Sequence, residues 1–255
     1  MLTKQQTTAV KFINHLVTLT PGQFSGKLEF SNPKEKEQKW QLYFRDSRLI
    51  WADGGQQPWR RWRRLLNQFC PHIAPDNLKL RKGDECENWS YHLVAILLKG
   101  KLITIDQAIA IVNSTLIEVL FDLIQEDCQE KLEIKTVVSD WVGDFNNPLT
   151  DLSLYKALEQ LKPQWESWCK ADLGNYSPNL APLLKQAEKL EKSTSEIVYQ
   201  KLRAAMSKKL TLRDLAACLK QDLLKLTQAL KAYVLEGIVE LVKVGDRPPI
   251  APANI

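Results

Sequence analysis

Three short segments near the N-terminus alternate large apolar residues with small or polar ones, and they constrain the fold more than any other feature. The segments cover residues 24–30, 40–44 and 48–52. A period of two is typical of β-strands that bury one face. Asp46 and Ser47 separate the second and third segments by a tight turn, and a charged stretch joins the first two. The pattern predicts a small antiparallel meander.

Helical periodicity dominates the chain around these segments. We expect helices at residues 3–20, 59–69, 88–99, 104–123 and 152–169. Thr3 and Thr104 are suitable N-cap residues, and Val10, Ile13 and Val17 are predicted to form the apolar face of the first helix.

Two further features complete the N-terminal region. Pro163 is expected to break or kink the last of these helices, and residues 132–138 alternate again, which predicts a fourth strand. The expected class is α+β, with a small antiparallel sheet packed with several helices over residues 1–174.

The composition changes near residue 175, because all eight tryptophans lie at or before Trp168. Beyond this point we expect a helix, a short extended piece, two more helices and a strand, at residues 195–206, 210–212, 212–219, 222–237 and 238–244. Thr211 is the predicted cap of the second of these helices. This order predicts a winged-helix-like helical subdomain at 175–245, followed by a proline-rich, extended linker at 246–255.

Residues 58–66 hold the densest cluster of positive charge in a chain whose net charge is +5. On a helix, Trp59, Trp62 and Leu66 share one face and the arginines project from others. Two interpretations stay open: the arginines are a solvated face, or the cluster docks an acidic partner or a phosphate backbone. The candidate partner-binding residues are Trp59, Arg60, Arg61, Arg63 and Arg64.

Four arginines within five positions repel one another unless something neutralises them. A bound partner could supply the negative charge. Acidic residues of the same chain, such as Asp46 and Asp53, could supply it as well.

Residues suited to catalysis are scarce. The chain has three histidines, His15, His72 and His92, and each is predicted to be structural. Only ten glycines are present, and neither a phosphate-binding glycine motif nor a zinc-binding helix motif occurs. The sequence predicts a protein that is not an enzyme, with no catalytic residue, no metal and no cofactor.

The cysteines and the hydropathy pattern indicate the compartment. The five cysteines are too widely spaced for a disulfide framework, so we expect buried, reduced thiols. No signal peptide begins the chain, and charged residues interrupt the most apolar stretch, at 103–124. These features predict a cytoplasmic protein without membrane insertion.

The segments FSGKL (24–28), WQLYFRDSRLIWA (40–52) and RRWRRL (60–65) form a recognisable block. This block resembles the PATAN domain, the N-terminal effector region of cyanobacterial PatA-type response regulators. It covers roughly residues 20–70 of the chain. Where the wider family pattern has glycine in the hairpin, this sequence has Ser47, which also turns readily.

The resemblance implies an output region that binds other proteins. In such regulators a winged-helix-like segment and a phosphoacceptor receiver domain usually follow, so a receiver is expected after Ile255. Members act in phototaxis, where the PATAN region is implicated in binding the type IV pilus extension ATPase, or in heterocyst patterning. The motif assigns no catalytic residue.

DNA binding through the winged helix is the alternative function. Lys225, Gln228 and Lys231 would point outward from its third helix, where lysines could contact phosphates. The same helix region carries Asp222 and Glu236 and offers no arginine for base recognition. Binding to a pilus motor ATPase or another signalling protein is therefore favoured over nucleic acid.

Overall fold

The computed structural model describes residues 4–19, 22–35, 38–79, 88–129, 132–138, 149–150, 152–207 and 209–250. It divides into two compact units, the first formed by Met1–Glu166 with Arg247–Ile255 and the second by Ser167–Asp246. The chain therefore leaves the first unit before the boundary predicted near residue 175. Thr3 and Ile255, which the sequence analysis names, lie outside the described residues, as does Cys86, one of the five cysteines.

The described residues of the first unit contain four strands and five α-helices, the last of which continues into the second unit. In chain order they are α1 (Lys4–Leu19), β1 (Gly26–Ser31), β2 (Lys39–Arg45), β3 (Arg48–Gly54), α2 (Pro58–Phe69), α3 (Trp89–Lys99), α4 (Ile105–Gln129), β4 (Glu133–Val138) and α5 (Leu154–Lys170). A short 3-10 turn, Pro75–Asn77, lies between α2 and α3. The α+β class predicted from the sequence is confirmed.

The four strands form one antiparallel sheet in the order β3-β2-β1-β4, as the alternating segments predict. One face carries large apolar side chains that are almost fully buried, among them Leu28, Phe30, Trp40 and Leu42. Trp51 is also buried, but it lies opposite Tyr43 and therefore belongs to the other face. At the end of β3, Gly54 has φ +87°, and a Cβ there would lie 2.1 Å from the Lys39 carbonyl oxygen. Only glycine fits this close approach of two strands.

α4 is the central helix of the first unit and contacts α1, α2, α3 and β3. Its N-cap is the predicted Thr104, whose hydroxyl accepts a hydrogen bond from the Gln107 N–H at 3.2 Å. Among the described helices, α4 alone is long and apolar enough to cross a membrane. However, 61% of its most apolar 18-residue window is buried inside the protein, as expected for a core helix.

Two helical predictions need correction. Among the described side chains of α1, Ala9, Phe12 and Leu16 are buried, and Phe12 packs against Phe30 of the sheet. Of the predicted face, Ile13 is only partly buried and Val17 is 48% exposed, whereas the side chain of Val10 lies outside the described part of the chain. In addition, α5 is not broken at Pro163 but continues through it, and the kink that is the other expectation stays a prediction. Pro163 is exposed, so water can satisfy the backbone carbonyl that loses its N–H donor. The proline neither ends nor divides the helix.

The second unit contains two strands and four complete helices among its described residues. They are β5 (Ala181–Leu184), α6 (Ala187–Ser193), α7 (Glu196–Ser207), α8 (Leu212–Leu219), α9 (Leu223–Leu235) and β6 (Val239–Val242). Thr211 caps α8, as predicted, by accepting a hydrogen bond from the Asp214 N–H at 3.1 Å. The core of this unit is apolar, with Leu190, Leu212, Leu215 and Leu230 all buried.

The two-stranded sheet of the second unit differs from the winged-helix expectation. The predicted strand at 210–212 is absent, because Leu212 begins α8 and its N–H donates to the Leu180 carbonyl. Instead, β6 pairs with β5, which precedes the helices in the chain. The predicted order of three helices followed by a strand is otherwise observed.

The C-terminal linker prediction is also corrected. Residues after Asp246 group with the first unit, and Ile250 is only 3% exposed. The described part of this segment has no helix or strand. Arg247, Pro248 and Pro249 are exposed, as expected of an extended, proline-rich segment. It differs from a free linker in that the Ile250 side chain is buried.

Candidate functional site: the arginine and tryptophan cluster of α2

The cluster predicted from residues 58–66 lies on α2, between the end of the sheet and the central helix. Pro58 occupies the first turn of α2, where its missing N–H is tolerated. Trp62, Leu65 and Leu66 are buried, and α2 packs against α4. The helix ends where the Cys70 N–H donates to the Leu66 carbonyl at 2.7 Å.

Three arginines of α2 form ion pairs with carboxylates from three different elements. The pairs are Arg61 with Asp53 of β3 (3.4 Å), Arg63 with Asp76 of the 3-10 turn (3.2 Å) and Arg64 with Glu118 of α4. The side chains of Arg61, Arg63 and Arg64 are 6%, 14% and 10% exposed to solvent, respectively. The positive charge of these three arginines is therefore neutralised within the chain.

This arrangement corrects the predicted docking surface. Of the five candidate residues, Arg60 and Arg61 are buried, at 8% and 5% exposure, so a partner cannot reach them. Asp53 is one of the two acids expected to neutralise the cluster, and it does so for Arg61. The sequence placed the arginines correctly on a helix. It could not show that folding brings carboxylates to them from distant positions in the chain.

Asp53 is the centre of a buried polar network. Its Oδ1 accepts a hydrogen bond from the Gly54 N–H at 2.7 Å, and its Oδ2 accepts one from the Ser90 hydroxyl at 2.6 Å. Arg61 Nη2 also donates to the Gly54 carbonyl at 2.9 Å. A buried ion pair is tolerated when such additional bonds satisfy it, so this network fixes α2 and α3 to the end of β3.

The exposed part of the cluster is aromatic. The rings of Trp59 and Trp89 stack with centroids 3.4 Å apart and planes 16° apart, and both residues are partly exposed. Trp62 lies beneath them, with its ring centroid 6.1 Å from that of Trp89. The Arg63 guanidinium carbon lies 5.8 Å from the centroid of the Trp59 ring, within the range of a cation–π contact. We call Trp59, Trp89 and Arg63 the tryptophan platform.

Trp89 is the functional candidate that sequence reasoning missed. It begins α3 and lies far along the chain from Trp59, so helical periodicity cannot connect the two. Its only sequence signal is the richness of the first unit in tryptophan.

The candidate nucleic-acid residues lie on α9 of the second unit. Lys225 and Gln228 are exposed. Lys231, in contrast, binds to other residues of the chain. Its Nζ lies 2.7 Å from Asp172 Oδ2 and donates hydrogen bonds to the Ala171 and Asp172 carbonyls at 3.1 Å. These carbonyls follow the C-terminus of α5, where a cation is stabilising. Lys231 therefore has a structural role, and the three residues do not form a common exposed surface.

The described histidines and cysteines form neither a metal-binding group nor a disulfide. His72 is exposed, with Nε2 2.9 Å from the Leu102 carbonyl oxygen. In the described part of the chain, no group of three His, Cys, Asp or Glu residues could hold a metal. The described cysteines form no disulfide. Cys70 and Cys169 are buried as predicted, but Cys218 is exposed.

No protein-family model matches this sequence, and neither a curated protein nor a solved structure is significantly similar to it. The resemblance to PATAN domains therefore stays a prediction, carried by the residues of β1, β2, β3 and α2.

Proposed function

We propose that this chain is the non-enzymatic output region of a cytoplasmic two-component response regulator. In this proposal the first unit is a PATAN domain that binds the extension ATPase of type IV pili and so controls phototactic motility. A receiver domain in the same polypeptide would regulate the exposure or orientation of the binding surface. Regulation of heterocyst patterning is the related alternative within the same family.

The tryptophan platform is the observation that supports protein binding. Tryptophan and arginine are the residues most enriched at binding hot spots. Here two tryptophan rings are stacked and an arginine is held beside them by Asp76. Because these side chains are already ordered, binding costs little further conformational entropy.

The neutralised charges indicate what kind of partner fits. A bare run of four arginines would attract any polyanion, but Arg61, Arg63 and Arg64 are each paired with a carboxylate. We therefore expect the partner to offer an apolar or aromatic side chain to Trp59 and an uncharged acceptor such as a carbonyl to Arg63, whose charge Asp76 already balances. Screening by salt weakens exposed charge pairs more than apolar contacts, so the interaction should depend only modestly on ionic strength.

A pull-down of the pilus extension ATPase with this chain tests the proposal. Trp59→Ala removes one of the two stacked rings of the platform, and Arg63→Glu reverses its charge. Either change should reduce retention of the ATPase by about tenfold or more, as is usual for a hot-spot residue. Arg61→Glu is unsuitable, because it would place two carboxylates together in the interior.

Two matched controls exclude a general effect of surface mutation. Arg48→Glu reverses the charge of an exposed arginine at the β2–β3 hairpin, and Tyr155→Ala removes an aromatic ring that is 66% exposed. Both variants should retain the ATPase like the wild type. Retention that is unchanged in Trp59→Ala and Arg63→Glu, with folding verified by circular dichroism, would refute binding through this surface.

DNA binding by the second unit is less well supported. Of the three residues of α9 that could contact DNA, only Lys225 and Gln228 are exposed, because Lys231 pairs with Asp172. Specific DNA binding usually needs several phosphate contacts. If the chain nevertheless binds DNA in a salt-dependent manner and Lys225→Glu abolishes this binding, the alternative function would replace the first.

A further inference from the structure

β4 is an edge strand with an unusually exposed surface. It pairs with β1, and no second strand pairs with it among the described residues. Glu133, Lys135, Thr136 and Val138 are all exposed, and Val138 is 76% exposed. The strand contains no proline and no glycine. An edge of this kind presents unpaired N–H and C=O groups that can pair with another strand.

The register with β1 shows which side chains of β4 share a face. Ile134 and Thr136 lie opposite Phe30 and Leu28, which are buried, so these two belong to the core side of the sheet. Glu133 and Lys135 lie opposite Ser31 and Glu29 and belong to the outer side. One acid and one base, two residues apart, therefore project from the same side of the edge.

We propose that β4 pairs in an antiparallel arrangement with β4 of a second copy, with the two-fold axis at Ile134. In this register Glu133 of each copy lies opposite Lys135 of the other, so the pairing forms two identical charge pairs. Such an isologous contact is closed and requires no other partner. It joins the two sheets into one continuous sheet by β-strand addition.

Charge and geometry select this register over its neighbours. In an antiparallel pair, two residues that lie directly opposite each other point their backbone N–H and C=O groups either both toward the other strand or both away from it. Two identical strands can therefore be related only by a two-fold axis that passes through a residue, and not by one that passes between two residues. An axis at Lys135 would place the two lysines directly opposite, which is destabilising. An axis at Thr136 would pair Lys135 with Val137 and leave the lysine without an acid across the interface.

Sedimentation of the full chain over a wide concentration range tests the dimer. The wild type should self-associate reversibly. Glu133→Lys and Lys135→Glu should each raise the dissociation constant by about tenfold, because each creates two like-charge pairs across the interface. A wild type that stays monomeric throughout would overturn the proposal and leave the edge to a different occupant.

Mixing the two single variants gives the sharper result. One variant carries two lysines at these positions and the other carries two glutamates, so the mixed dimer regains both attractive pairs. Association should return to about the wild-type level in the mixture and in the double exchange Glu133→Lys/Lys135→Glu. If neither restores association while both single variants remain folded, the charges do not face each other and the register is wrong.

Cysteine crosslinking locates the two-fold axis independently. In Ile134→Cys the two new thiols lie opposite one another, at a separation that a disulfide can span. In Thr136→Cys they lie several residues apart along the strands and cannot be joined. A disulfide between copies at position 134, identified by peptide mass spectrometry, is the expected result, whereas one at position 136 alone would contradict the register.

Discussion

Asp53 and Arg61 form an ion pair in the interior of the first unit, where their side chains retain only 5% and 6% of their exposure. Asp53→Ala would leave the Arg61 guanidinium charge buried without its carboxylate, with a hydrogen bond to the uncharged Gly54 carbonyl. Removing one partner of a buried pair costs about 3–5 kcal/mol. We therefore expect a large fall in the free energy of unfolding, measured by urea denaturation with tryptophan fluorescence.

Asp76 provides the matched control for this prediction. Asp76 pairs with Arg63, which lies on α2 like Arg61, but the Asp76 side chain is 84% exposed. Exposed pairs contribute about 0–1 kcal/mol, so Asp76→Ala should change the free energy of unfolding only slightly. Equal effects of the two alanine substitutions would show that burial does not determine the strength of these pairs.

Ser47 lies in the β2–β3 turn, where Asp46 and Ser47 both have positive φ angles, 49° and 60°. Its hydroxyl accepts a hydrogen bond from the Phe24 N–H at 2.9 Å. Ser47→Ala keeps the left-handed backbone but loses this acceptor, and should cost about 1 kcal/mol. Ser47→Gly loses the same bond but relieves the backbone cost, so it should be about 1 kcal/mol more stable than the alanine variant. Equal urea midpoints for the two variants would contradict this.

Thr211 stabilises the start of α8 through its hydroxyl bond to the Asp214 N–H. Thr211→Ala should destabilise the second unit by about 1 kcal/mol. Thr211→Ser retains the acceptor and should lose less. Hydrogen exchange of the α8 amides measures the effect, and faster exchange in the serine variant than in the alanine variant would argue against a capping role.

Cys70 and Cys218 should react very differently with alkylating reagents. Burial raises the pKa of the Cys70 thiol, so at a given pH less of the reactive thiolate is present. Cys218 is exposed on α8. At about pH 8, labelling of the native protein should modify Cys218 and leave Cys70 intact until urea unfolds the chain. Peptide mass spectrometry would detect early labelling of Cys70, which would contradict its burial.

The elements of this fold could be predicted where a local signal marks them. The bounds of α8 are those predicted, because Thr211 is a strong cap and the helix ends at a left-handed Lys220. β5 has no such signal: it is four residues long and contains Pro182, which is unfavourable in a strand. Only its pairing with β6, distant in the sequence, makes it a strand.

The candidate site shows the same limit. Periodicity placed the arginines of α2 on a helix, but their burial depends on Asp53, Asp76 and Glu118, which lie on three other elements. The stacking of Trp59 on Trp89 likewise results from the packing of α2 beside α3. Such contacts are properties of the tertiary structure, and a single sequence carries no local pattern for them.

The three ion pairs of α2 have a mechanical consequence. A helix that packs through apolar contacts alone can rotate or slide by small steps, since such contacts are not directional. α2 is attached at three points to β3, to the 3-10 turn and to α4, and a rotation that kept one pair would break another. β3, α4 and α2 should therefore move as one body. Any displacement of these elements would carry Trp59 and Arg63 of the tryptophan platform with it.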